Sequence, residues 1–122
     1  MLKYLLFAAI VWAGERPVSD VTIYEVKSEG SGSSACVKMV VKNVSNAEIK
    51  DLTVTAYFLD ASGQPMGQGE AYIAIEGLEH RQELSALKPN YTRRGSACIF
   101  ADHMDISTWK PGAFRLVITE LK

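Results

Sequence analysis

The chain has 122 residues, 48% of them hydrophobic and 22% charged, a size and balance that suit one domain around one buried core. Its 13 Lys and Arg against 14 Asp and Glu leave a net charge of -1. That near balance argues against nucleic acid as a partner, since a nucleic-acid binder carries a basic excess clustered on one face.

The opening residues, MLKYLLFAAIVWAGERP, depart from this average. Lys3 is a short basic region, Tyr4 to Trp12 is apolar, and Ala13 with Val11 two positions before it resembles a cleavage pattern. Residues 1–13 are therefore expected to be a secretory signal peptide cut before Gly14, and residues 14–122 a single mature domain. The apolar run falls short of the ~20 residues a membrane-spanning helix needs. Two other readings stay open: an uncleaved anchor, which would put the domain at a membrane, and a segment docked as an ordinary helix or strand. No cysteine stands at the end of the segment, which argues against a lipoprotein anchor.

After the polar ERPVSD, the β-branched and aromatic run VTIYEVK reads as a strand, and the Gly- and Ser-rich SEGSGSS as a turn. ACVKMVVK puts Val37, Met39 and Val41 on one face and Lys38 and Lys42 on the other, the alternation of a half-buried strand. NVSNAEIKD interrupts it. LTVTAYFLD then alternates Leu52, Val54, Ala56 and Phe58 against Thr53, Thr55 and Tyr57, the clearest strand in the chain.

DASGQPMGQG reads as a turn cluster through Asp60, Gly63 and Pro65, and EAYIAI as a shorter strand. EGLEHRQELSALKPN is ambiguous. Leu84 and Leu87 fit one turn of helix, whereas Gly77 and Pro89 equally permit a strand and a loop. SACIFA and AFRLVITEL close the chain as strands, the last alternating Phe114, Leu116 and Ile118 with Arg115, Val117 and Thr119. Six or seven short strands divided by turn chemistry, with no long amphipathic helix after the leader, predict an all-β antiparallel sandwich. A closed barrel is the alternative. A parallel α/β fold is excluded by gaps too short and polar for helical crossovers.

Export changes the meaning of the two cysteines. In an oxidising compartment Cys36 and Cys98 are expected to form a disulfide, whereas in cytosol they would be buried thiols. A bridge across their sequence separation of 62 removes unfolded-chain entropy worth about 4 kcal/mol.

The stretch VVKNVSNAEIKDLTVTAYFLDASG, with LKPN further on, resembles the FxLYD-type and related immunoglobulin-like domains of bacterial envelope proteins. In that pattern a strand ends V-x-N, a polar turn follows, a second strand ends in an aromatic-Leu-Tyr-Asp run before Gly, and a later turn reads L-x-P-G-E. The likeness runs from about Val37 to Phe100. Ala56 stands where the first Phe is expected, Leu59 replaces the Tyr, and Asn90 replaces the Gly.

The resemblance implies an immunoglobulin-like sandwich in which the strand after the Pro turn pairs antiparallel with the strand ending in Asn43. SACIF then lies beside ACVKM, Cys36 falls roughly opposite Cys98, and both point away from the core as a cross-strand bridge. An antibody-type bridge would join the two sheets with a Trp between its cysteines. Trp12 and Trp109 both lie outside that interval.

Asp102, His103 and Asp105 form the densest polar cluster, but no nucleophile motif or second ligand cluster accompanies them. They are expected to lie in a solvated loop; a small metal-assisted hydrolase centred on Asp102 and His103 is the catalytic alternative. His80 adds no zinc spacing. Asn90, Tyr91, Arg93 and Arg94 are candidates for a patch contacting a carboxylate or anionic glycan, the arginines through bidentate hydrogen bonds, and Trp109 is a candidate interface anchor that would otherwise cap the core. The loops expected to present contacts are Gln64–Glu70 and Asp102–Lys110. Asn43-Val44-Ser45 and Asn90-Tyr91-Thr92 match the glycosylation pattern and otherwise read as turn formers. The expectation is an exported, non-catalytic binding or assembly module of the cell envelope. It needs no cofactor or metal, and its partner would be another envelope protein or a glycan.

Overall fold

Six strands form in the computed structural model, which describes residues 16–78 and 80–122. The expected signal peptide, residues 1–13, lies outside the described residues. In chain order the strands are β1 (Val21–Gly30), β2 (Ser34–Asn43), β3 (Leu52–Leu59), β4 (Pro65–Ala74), β5 (Thr92–Phe100) and β6 (Phe114–Leu121). They make two three-stranded sheets, ordered β1-β2-β5 and β4-β3-β6, with every pairing antiparallel.

The alternation read from the sequence fixes which faces meet. Val37, Met39 and Val41 of β2, Leu52, Val54, Ala56 and Phe58 of β3, and Leu116 and Ile118 of β6 share one buried cluster with Ile23, Ile73, Ala97 and Ile99. Side chains of both sheets thus fill one core, as in a sandwich. At one margin of the core β4 and β5 run side by side without belonging to a common sheet. A Cβ on Gly69 would come within 2.3 Å of the Cys98 carbonyl oxygen, so the two backbones meet where only glycine fits.

Turn chemistry sets the hairpins. The β1–β2 turn closes through Ser31 N donating to Ser34 O. In the β3–β4 turn, Asp60 Oδ1 accepts from Ser62 N, Ser62 Oγ and Gln64 N, and Gly63 takes a positive φ of 84°. Within Lys88–Tyr91, Pro89 precedes Asn90 at φ 66°, and Tyr91 N donates to Lys88 O; this is type II geometry, which asks for Gly or Asn at that position. Asn90 therefore does the work of the glycine expected there.

One expectation needs correction. Gln64–Glu70 is mostly strand, because β4 begins at Pro65. Pro65 lacks an N–H but stands first in a strand at a sheet edge, and Gly67 and Gly69 answer to close packing against Ile99, Met104 and Cys98 rather than to a turn. The ambiguous segment takes something from each open reading: its described residues hold a 3-10 turn at Gln82–Leu84 and an isolated bridge pairing Leu87 with Ile49.

Candidate functional site

Antiparallel register brings Cys36 directly opposite Cys98, and the two sulfurs are bonded, with Cα atoms 4.1 Å apart. Their strand neighbours Ala35, Val37, Ala97 and Ile99 are buried, so the bridge lies on the outward face of the β1-β2-β5 sheet, half-buried. The cross-strand geometry expected from the resemblance is what forms.

Along that face β2 and β5 present Lys38, Lys42, Arg94, Ser96 and Phe100. Lys38 Nζ is 2.9 Å from the Glu29 carboxylate, which holds Glu29 below the usual carboxylate range through a hydrogen bond and charge attraction. Arg94 is exposed and borders a shallow depression with Glu25, Lys38 and Ser96. Glu25 itself has φ 52° at a bulge between Tyr24 and Lys27, a backbone region where glycine is usual.

Arg93 points the other way. Its Nη1 donates to the carbonyls of Ile73 and Ser85, tying the end of β4 and the following segment to β5, and burial lowers its pKa. That guanidinium fork is engaged within the chain. Of the candidate pair, Arg94 alone is exposed on the surface and makes no side-chain hydrogen bond or ion pair among the described residues.

Trp109 is 5% exposed, which overturns its role as an exposed anchor and realises the other one, a cap on the core. It meets Phe58 edge to face at 5.3 Å, and its Nε1 donates to Ala113 O. The adjacent polar cluster does not converge. His103 Nε2 lies 3.7 Å from Asp102 Oδ2 with both side chains more than two-thirds exposed. The Asp105 carboxylate is turned back to accept from Ser107 N and Ser107 Oγ. Among the described residues no group of three or more His, Cys, Asp or Glu could hold a metal ion. His80 is exposed.

Exposed aromatic surface comes from Tyr91, a member of the candidate contact patch, and from Tyr72 and Phe100, which were not singled out from the sequence; each is more than half exposed. Tyr72 and Phe100 occupy outward strand positions, readable from period-2 alternation once the core face is chosen. Phe100 also borders a groove with Gly67, Gln68, Gly69, Glu70, Cys98, Ile99 and His103, where β4 and β5 meet. Comparison of the chain with known protein families, curated proteins and solved structures gave no match.

Proposed function

We propose that this chain is an exported, non-catalytic binding or assembly module of the cell envelope, built on an immunoglobulin-like sandwich. The strand arrangement supports the class: β2 beside β5 and β3 beside β6 correspond to the B–E and C–F pairings of such sandwiches, with β4 in the place of C′. The bridge departs from the antibody pattern by joining B to E within one sheet instead of B to F across two. The FxLYD-like stretch supplies the turn between B and C in this reading.

The observation that carries the proposal is the Cys36–Cys98 bridge, because disulfides form and persist in oxidising, extracytoplasmic compartments. Binding would use the outward aromatic residues and Arg94, whose guanidinium suits a carboxylate or an anionic glycan. The test is capture from an envelope fraction by the mature chain, beside the triple variant Tyr72→Ala, Phe100→Ala, Arg94→Ala. Retention of one envelope protein or glycan by the wild type and its loss with the triple variant is the expected result. Equal capture by both chains would remove this surface from the proposal.

A further inference from the structure

We propose that the Cys36–Cys98 bridge is a thiol-exchange site, opened from the groove between β4 and β5 by attack on Cys98. The bridge sits outside the buried core cluster, and β2 and β5 remain paired from Ser34–Phe100 to Lys42–Thr92 without it. Its sulfurs can therefore be reached and parted without separating the strands, and accessible disulfides of this kind are the exchangeable ones.

The two sulfurs are not equivalent. A thiolate displaces a disulfide sulfur in line, approaching from the side opposite the leaving sulfur. Approach to Cys36 comes across β1, where its register partner is Glu29, held in an ion pair with Lys38. The paired Glu29 and Lys38 side chains stand on that path. Approach to Cys98 comes from the margin of β5 that pairs with no strand, where β4 packs alongside and Gln68, Glu70, Phe100 and His103 wall a groove.

The exchange with a small dithiol is then ordered. Its first thiolate forms a bond to Cys98 Sγ, the S–S bond breaks, and Cys36 leaves as a thiolate that takes up a proton. The second thiolate of the reagent attacks its own bound sulfur and expels Cys98 as a thiolate. Ser96 Oγ lies 3.4 Å from Cys98 Sγ and is placed to donate to that leaving sulfur. The dithiol is oxidised to a disulfide and the protein gains two thiols.

The test uses the folded full chain with dithiothreitol in urea concentrations below its unfolding transition. A reduction rate independent of urea is expected; a rate that climbs with urea in step with global unfolding overturns the proposal. In a parallel reaction, reduced glutathione is added and the freed thiol is trapped by iodoacetamide. Peptide mapping is expected to find glutathione on Cys98 and the alkyl group on Cys36, and the reverse assignment contradicts groove-side attack. Gln68→Trp, a change on an exposed strand position, should slow native reduction several-fold by filling the groove. An unchanged rate in that variant also counts against the proposal.

Discussion

Asn43 Nδ2 donates to the carbonyl of Leu87 at 2.9 Å, across 44 positions of chain, and to the carbonyl of Ala47 at 2.8 Å. Its Oδ1 accepts from Ser45 N and Ser45 Oγ, and its backbone exchanges hydrogen bonds with Asn90 and Tyr91. The side chain is fully buried. One amide thus ends β2, shapes the turn after it, and fixes the segment that leads into β5. Asn43→Ala removes the amide's bonds to the Leu87 and Ala47 carbonyls, leaves the Ser45 N–H without its acceptor and opens a buried site, and should cost about 2 kcal/mol in urea unfolding at unchanged m-value. Asn43→Asp should cost no less, because a carboxylate would face the same two carbonyls. The amide is also fully engaged in the fold, so the Asn43-Val44-Ser45 sequon is closed to glycosylation once the chain has folded.

The contact between β4 and β5 predicts a contrast between two glycines. Gly69→Ala drives a Cβ into the Cys98 backbone, with atoms at 2.3, 2.7 and 2.9 Å, and neither strand has a flexible side chain there to yield. A loss of about 3 kcal/mol is expected by chemical denaturation. Gly32→Ala meets nothing within 4 Å and should stay within about 0.5 kcal/mol of wild type.

Neighbouring arginines should behave differently. Arg93→Ala removes two charge-assisted hydrogen bonds to the Ile73 and Ser85 carbonyls and should cost about 2 kcal/mol of stability. Arg94→Ala should leave stability within about 0.5 kcal/mol, its effect appearing in partner capture instead. Paired denaturation curves and capture assays separate the two roles.

Acid should loosen the β3–β4 turn. Hydrogen bonds from the Ser62 hydroxyl and then the Gln64 backbone hold the Asp60 carboxyl below its ordinary 3.8. A folded-state pKa below the unfolded one means that the unfolded chain binds the extra proton first. The stabilisation is therefore complete above the unfolded value and is lost as pH falls through the folded one. Asp60→Asn keeps an acceptor but does not titrate. The stability gap between wild type and this variant should be constant at neutral pH and shrink below about pH 4, as followed by urea unfolding across pH.

Strands were legible where a single physical rule governed them. Leu52, Val54, Ala56 and Phe58 alternate because one face of β3 meets the core, and all four are fully buried. Asn43 was recognisable as a strand end, but its partner Leu87 was not, since nothing local records a hydrogen bond across 44 positions. Arg93 and Arg94 look alike in sequence; they differ because alternation turns one toward the Ile73 and Ser85 carbonyls and the other toward solvent. Gly67 and Gly69 resembled turn residues because the sequence carries no sign that β5 runs against them. Trp109 had two open roles, and contact with Phe58 chose between them. The exposed surface of Tyr72 and Phe100 became visible only when the strands were assigned their faces.

The proposal of an exported module with a cross-strand bridge is tested most directly by intact mass and non-reduced peptide mapping of the native protein from its source cells. The account predicts a chain beginning at Gly14, with the peptides of Cys36 and Cys98 linked and no free thiol. A chain beginning at Met1 with both thiols free would contradict it.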